Sequence, residues 1–422
     1  MFGFSNFIRI KRNLFVIINQ QEKIKRENVN MADLKIFTEN VTPKAVNQIY
    51  TLLSQQAFKN EKVRIMPDVH VGKGCVVGFT STIKDKIIPN VIGVDIGCGM
   101  LTVELGKFEF SPKELDEFIK KNIPAGSAIN KEVDGEELIK SLYCYNDLAN
   151  LDRLYGSLGS LGGGNHFIEV DEDEEGNRYL VIHSGSRNLG QQVANIYQKI
   201  AIKSCKEVSH EEREALILQL KEEGRVKEIP DELEKLTQKY AYKTKIPNEL
   251  CYLDGVEMDK YMHDMRICQE FAVRNRAKIA KRILKHLGVL KYTAFETVHN
   301  FIDDNNIVRK GAIPANLGQK VLIPMNMRDG CLVCEGLGNE DWNNSAPHGA
   351  GRLFSRSDAK ELLSVEEFQD AMQGIYTTTA TSATLDEAPM AYKPMEEIIS
   401  LIAPTVRILK IIKPIYNFKA SD

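Results

Sequence analysis

The chain has 422 residues, 27% of them charged and 43% hydrophobic, with a formal charge of −3. That is ample apolar material for one large domain or a few ordinary ones, and it excludes a disordered chain, a coiled coil and a collagen-like repeat. No stretch approaches the roughly 18 apolar residues of a membrane span, and the near-neutral charge speaks against a nucleic-acid partner, which usually shows as a basic surplus.

Residues 1–30 are basic and begin apolar, but Arg9, Lys11 and Arg12 break the run and no small-residue cleavage site follows, so they do not read as a secretory signal. Met31 opens more ordinary sequence and is a candidate true start; the alternative is a genuine N-terminal strand and helix. Helical periodicity follows at 43–58 and at about 111–152. A third, charge-dense helical stretch covers about 190–243, interrupted at Gly224 and Pro230. A fourth runs over about 257–287, with Tyr261, Met262, Met265, Phe271 and Ala272 at helical spacing and Gly288 as its stop. Strands are predicted at 63–66, 75–83, 100–104, 166–170, 179–183, 294–298, 306–309, 320–323 and 331–335. No Pro/Gly-rich linker divides the chain. The mixed order predicts a single α+β domain over 31–422, with a helical insertion at about 205–250.

Eight scattered cysteines do not make a disulfide framework in a chain of this length, which favours a reducing, cytoplasmic location. Cys331 and Cys334 form a C-x-x-C, but in an apolar run without a second pair, so the pair is not read as a metal or redox site.

Histidine, cysteine and glycine coincide in a few short motifs. Five of the eight histidines lie in Met66-Pro-Asp-Val-His70-Val-Gly-Lys-Gly, Gly162-Gly-Gly-Asn165-His166-Phe167-Ile-Glu169, His183-Ser-Gly-Ser-Arg187, Val298-His299-Asn300 and Pro347-His348-Gly349-Ala350-Gly351-Arg352. A sixth motif, Gly93-Val-Asp95-Ile-Gly97-Cys98-Gly-Met, places a carboxylate and a thiol three residues apart round a glycine turn. Such a turn could aim both at one centre, and a thiolate can bridge two metals; the bland alternative is a buried, inert cysteine. Between His166 and His183 lies the acidic turn 171–177, flanked by apolar runs. A hairpin symmetric about that turn sets the two imidazoles opposite one another, Cα atoms roughly 5 Å apart, and a one-residue slip would break this pairing. His299, after the strand-like run Phe295 to Val298, would be a single added ligand; on its own a satisfied core histidine is the stronger reading. His348, among small residues with Arg352 beside it, could be a nucleophile toward phosphorus, a metal ligand or structural. Arg274, Lys278, Lys281, Arg282 and Lys285 share one helix face; they could grip an RNA backbone or simply complement the helix dipole.

Together these motifs, with Tyr261-Met-x-Asp-Met and Asn275-Arg276, resemble the RtcB family of RNA-splicing ligases from about residue 60 to the C-terminus. The resemblance implies an α+β fold with mixed sheets round a central metal cleft. It also implies an enzyme that joins RNA 3′-phosphate or 2′,3′-cyclic phosphate ends to 5′-hydroxyl ends with GTP and two Mn²⁺ ions. His348 would form a histidine–GMP phosphoramidate; GMP would pass to the RNA 3′-phosphate, and the 5′-hydroxyl would displace it. One metal would take Asp95, Cys98 and His166, the other Cys98, His183 and His299. Asn165, Phe167, Glu169, Asn300, Gly349, Ala350, Gly351, Tyr392 and Lys419 would form the nucleotide site, with the Glu169 carboxylate suited to the N1/N2 donor edge of guanine. His70, Arg187 and Arg352 would meet RNA or the triphosphate. Asn188 stands where the family usually has glycine, and asparagine tolerates a positive φ. Soft Cys and His donors on their own would favour zinc, so manganese rests on the resemblance. The implied partners are RNA ends, with an archease-type activator as a further possibility and no membrane. The rival from another class is a metal-dependent phosphohydrolase, which would need no nucleophilic histidine; a non-catalytic RNA-binding relative would not need the complete ligand set. The −3 charge does not oppose an RNA partner after all, because it averages acidic and basic segments and omits bound metal ions.

Overall fold

The structure, a computed structural model, describes residues 32–208, 210–241 and 246–420. The expectations for residues 1–30 and for a start at Met31 lie outside the described residues. Strand β1 (Asp33–Ile36) leads into helix α1 (Pro43–Leu53), where the Thr42 side chain accepts from the Ala45 N–H and Pro43 fills the first turn. Next come β2 (Lys62–His70), β3 (Val77–Thr82), the short α2 (Pro89–Ile92) and β4 (Gly99–Gly106).

The helix expected over 111–152 is three shorter ones: α3 (Pro112–Asn122), α4 (Glu136–Lys140) and α5 (Leu151–Gly156). Pro124 and the left-handed Gly126, Gly135 and Asn150 account for the breaks. The hairpin β5 (Phe167–Glu172) and β6 (Arg178–Ser184) follows. The charge-dense stretch forms α6 (Arg187–Lys206), α7 (His210–Glu222) and α8 (Ile229–Ala241). Gly224 falls in the expected break, but Pro230 sits in the first turn of α8, where a missing N–H costs nothing. Helix α9 (Gly255–Leu287) runs as expected and ends at Gly288, whose φ of 70° lets its N–H reach the Leu284 and Lys285 carbonyls.

The remaining elements are β7 (Thr293–Val298), β8 (Asn300–Ile302), β9 (Ile307–Lys310), β10 (Ala312–Pro314), β11 (Lys320–Asn326), β12 (Gly330–Gly336), β13 (Ser345–Pro347), α10 (Arg356–Leu362), α11 (Val365–Ala371), α12 (Met395–Ile402) and β14 (Val406–Lys419). Helices and sheets are mixed along the chain, as the α+β expectation requires. Every expected strand is present. Five strands were not expected from the sequence, the short β1, β8, β10 and β13 and the long β14, and β14 is central: in the seven-stranded sheet β11-β12-β14-β5-β6-β4-β7 it joins β12 to β5. Its register shifts between Pro414 and Tyr416, a bulge beside the one residue that cannot donate to the ladder. Leu322 N–H on β11 donates to Thr297 Oγ1 on β7, so the two edges meet and the sheet curls into a nearly closed barrel. The other sheets are five-stranded (β1-β2-β3-β9-β8) and two-stranded (β10-β13).

Helix α9 braces the barrel. Its first half buries Tyr261, Met265, Cys268 and Phe271 in a core shared with α1, α6 and the five-stranded sheet. Its second half packs Ile279, Ile283 and Leu284 against the barrel's outer face, on Val103, Ile168, Val170, Leu180 and Ile182. The alternate residues of β5 and β6 point inward: Phe167, Glu169 and Asp171, with Tyr179, Val181 and His183.

Candidate active site and metal centre

The β5–β6 ladder corrects the expected register by one residue. Phe167, not His166, lies opposite His183, and Val170 faces Leu180. The two histidines still converge, because His166 precedes β5 and is free of the strand's alternation. Their rings lie 5.2 Å apart, and Cys98 Sγ is 3.4 Å from His166 Nε2 and 3.3 Å from His183 Nε2. The ligand atoms of Cys98, His166 and His183 all fall within 4.8 Å of one another.

Backbone carbonyls aim these imidazoles. His166 Nδ1 is 2.9 Å from the Leu161 carbonyl and His183 Nδ1 is 3.1 Å from that of Asn165, which leaves both Nε2 atoms turned to the thiol. Asp95 Oδ2 is 3.0 Å from His166 Nε2. Burial opposes Asp95's ionisation, but the hydrogen bond and charge of His166 outweigh it and hold the carboxyl down to about 2. His299 stands beside the cluster, its ring 5.3 Å from that of His183. Burial pushes His183 and His299 well below the usual imidazole range, into the neutral form that ligates metals. It pushes the Cys98 thiol well up, a cost that a bound cation would reverse. Among the described residues His299 Nδ1 is buried without a partner, an unused donor beside three convergent ones. This donor set fits a transition-metal ion.

Helix α9 holds the cluster from behind. Fully buried Arg276 donates from Nη1 to the carbonyls of Gly97 (2.9 Å) and Ser184 (2.8 Å) and pairs with Glu296. Asn275 Oδ1 accepts from the Gly159 and Ser160 N–H groups, and its amide donates to Ser184 Oγ and Gly185 O. The Asp95–Cys98 turn lies directly on this helix. Gly97 has φ 72°, and a Cβ there would stand 2.8 Å from Gln269 Cα.

A cleft of about 2090 Å³ opens over the cluster. Of the expected site residues, Asp95, Cys98, His183, His299, Asn165, Phe167, Glu169, Asn300, His348, Gly349, Ala350, Gly351, Arg352, Tyr392, Lys419 and His70 line it. His166 and Arg187 lie behind its wall. Arg187 Nη1 is 3.2 Å from His166 Nδ1, and the guanidinium covers Gly162, where a Cβ would stand 1.8 Å away. The positive φ near this point belongs to Arg187 (58°) and not to Asn188, which lies inside the first turn of α6.

His348 is held by a residue to which the sequence reading assigned no role. Asp68 Oδ2 accepts from His348 Nδ1 at 2.6 Å and from its backbone N–H at 3.1 Å. Nε2 is left for the cleft, and the ring lies 4.9 Å from that of His299. The signal was Asp68 itself, an acid two residues before His70 that is buried with the rest of β2's interior. His70 Nδ1 contacts the Asp68 carbonyl, and burial lowers the imidazole to about 4.

Two more residues escaped the sequence reading. Lys310 is a buried cleft lysine whose Nζ donates to the Lys73 and Asn90 carbonyls. Glu387 gathers Lys419 Nζ (2.9 Å), Arg352 Nη1 (3.1 Å) and the Tyr392 hydroxyl (2.5 Å) at the cleft's far end. Asn300 bridges the Asp95 carbonyl and the Gly311 N–H. On the basic face of α9, Arg274 pairs with Glu270, Lys278 with Asp134, and Arg282 donates to Asn130 and Gly159. Cys331 and Cys334 point into different cores, but Cys331 joins Glu169 and Asp171 in a second buried group of possible ligands.

A family model described as tRNA-splicing ligase RtcB matches residues 49–144 and 144–420. The chain is 28% identical to the RNA-splicing ligase RtcB of Escherichia coli, over 92% of this chain and 97% of that protein. It is 27% identical to the tRNA-splicing ligase RtcB of Methanococcus maripaludis, over 82% of this chain and 85% of that one. The chain belongs to the RtcB family.

Proposed function

From that membership and the cleft's geometry, we propose that the chain is a GTP- and Mn²⁺-dependent RNA ligase. It joins RNA 3′-phosphate or 2′,3′-cyclic phosphate ends to 5′-hydroxyl ends, in tRNA splicing or RNA repair. The observation that carries the reading is His348. Its Nδ1 is tied to buried Asp68 at 2.6 Å while its ring stands in the cleft beside the Cys98–His166–His183 cluster.

In this reading His348 Nε2 attacks the α-phosphorus of GTP: a P–N bond forms, the P–O bond to pyrophosphate breaks, and Asp68 keeps the Nδ1 proton in place and stabilises the positive ring. The RNA 3′-phosphate takes GMP from His348, and the 5′-hydroxyl then displaces GMP to close the strand. Asp95, Cys98, His166, His183 and His299 would hold two Mn²⁺ ions, which when bound neutralise charge at phosphorus and orient attacking and leaving oxygens. Phe167, Glu169, Tyr392 and Lys419 would receive guanine, with Gly349 to Gly351 against the ribose and phosphate, and His70, Arg187 and Arg352 near the RNA end. A phosphohydrolase using the same ligands has no use for the Asp68–His348 pair. Among the described residues no helix is long and apolar enough to cross a membrane; the eight cysteines, all buried as free thiols, support a cytoplasmic enzyme.

The test is covalent labelling. With α-labelled GTP and Mn²⁺ the protein should acquire an acid-labile, alkali-stable label, and His348→Ala should lose it. Label surviving in the variant would remove His348 from the role.

A further inference from the structure

Glu169 lines the cleft, and Asp171, two residues along β5 on the same inward face, is buried directly behind it. The Cys331 thiol on β12 donates to Glu169 Oε1 at 3.4 Å, and the amide of Asn417 on β14 donates to Glu169 Oε2 at 2.8 Å. The ligand atoms of Glu169, Asp171 and Cys331 lie within 4.8 Å of one another, all in buried side chains. Among the described residues neither oxygen of Asp171 meets a donor in good hydrogen-bond geometry, and the Cys331 thiol, which donates to Glu169, is its one weak neighbour.

The other titratable groups near the pair do not neutralise it. On β14, Lys419 spends its charge on Glu387 Oε2 and the Asn165 carbonyl. On β6, the Tyr179 hydroxyl donates to Asp173, which also takes Lys410, and His183 is neutral by burial. Two carboxylates this close, dry and without their own cation do not both ionise: one proton belongs to the pair.

We propose that Asp171 carries that proton at neutral pH, so that Glu169 keeps its charge for the N1–H and N2–H donors of guanine, and that uptake of a second proton sets the acid limit of GTP binding. The inference rests on the guanine contact proposed above for Glu169. The electrostatics run the same way. Burial raises Glu169 to about 7, against the hydrogen bonds of Asn417 and Cys331 and the charge of Lys419. Burial and then the charge of Glu169 push Asp171 well above the carboxylate range. Asp171 is thus a positioning and specificity residue that touches no substrate: its neutrality lets the carboxylate in front of it stay charged.

The test is GTP binding by the Mn²⁺-loaded enzyme as a function of pH, read with a fluorescent ribose-labelled GTP. The wild type should weaken by about tenfold per pH unit below a break near 7, as one-proton linkage requires. Asp171→Asn puts a neutral group of the same shape where the proposal already places one, so its break should stay within about half a unit of the wild type's while affinity at pH 8 is retained. Asp171→Leu should leave it there too, Glu169→Gln should abolish it, and the wild type at pH 8 should show a buried carboxylic-acid C=O infrared band that Asp171→Asn lacks. A wild-type profile without a break, a break that Asp171→Asn moves down by about a unit or more, or an acid band that persists in that variant overturns the proposal and leaves the ligase reading standing. An extra equivalent of bound metal that disappears in Asp171→Asn also overturns it, by making the group a cation site. No GTP binding at any pH would sink the ligase reading and this inference together.

Discussion

Asp68, fully buried on β2, accepts both the Nδ1 proton and the backbone N–H of His348, at 2.6 and 3.1 Å. A carboxylate behind an imidazole fixes its tautomer and steadies the positive charge that develops when the other nitrogen attacks. Asp68→Ala should therefore slow protein guanylylation on the order of 10³-fold while leaving GTP affinity within a few-fold. Single-turnover labelling alongside equilibrium GTP binding separates the two effects. Equal losses in rate and affinity would mean that Asp68 only maintains the shape of the cleft.

Cys98 touches both His166 and His183, so one thiol connects the ligands proposed for two ions. Cys98→Ala should reduce bound Mn²⁺ from two ions per chain and abolish both guanylylation and strand joining. Mn²⁺ electron paramagnetic resonance counts the ions without reference to activity. Near-normal ligation in the variant would refute the bridging thiolate.

The local motifs that build this centre are legible from the sequence because each is short and rich in rare residues. What joins them is less so. Asp68 and His348 are 280 residues apart, and nothing in either segment advertises the other. The hairpin shows a subtler failure. Symmetry about the acidic turn paired His166 with His183, whereas the ladder pairs Phe167 with His183. The histidines meet only because His166 lies beyond the strand's end. The true register is also the one that puts Phe167 and Glu169 on the cleft face, which the symmetric register would have turned outward. Strand β14 went unread because lysines and Pro414 interrupt its pattern, although its neighbours β12 and β5 cover it on both edges.

Arg276 is fully buried and bonds the Gly97 and Ser184 carbonyls, one on each side of the metal cluster. Arg276→Met fills similar space but leaves those carbonyls and the Glu296 carboxylate without their donor. Unfolding stability should fall by about 2–4 kcal/mol, the cost of stranding buried acceptors. Because the same bonds hold the Asp95–Cys98 turn, Mn²⁺ affinity should fall by about 10–100-fold even in the folded variant. Urea unfolding and metal titration measure these separately, and an unchanged metal affinity would show that α9 braces the fold and not the centre.

Glu387 is buried where Lys419, Arg352 and Arg356 converge on it. Burial opposes its ionisation, but these three charges and the Tyr392 hydroxyl hold it at about 2, below its ordinary 4.5. The folded value is depressed, so the unfolded chain takes up the proton first as pH falls. The carboxylate's contribution is therefore complete above 4.5 and is lost as pH drops from there toward 2. Glu387→Gln should lower stability at neutral pH by about 3–5 kcal/mol, because it leaves buried cations facing a neutral amide. It should also flatten the acid limb, since a glutamine has no proton to take up in that window. Urea unfolding across the window in both proteins measures the difference. An acid limb equally steep in the variant would place the loss of stability on other carboxylates and show that the cations at this end of the cleft do not depend on Glu387.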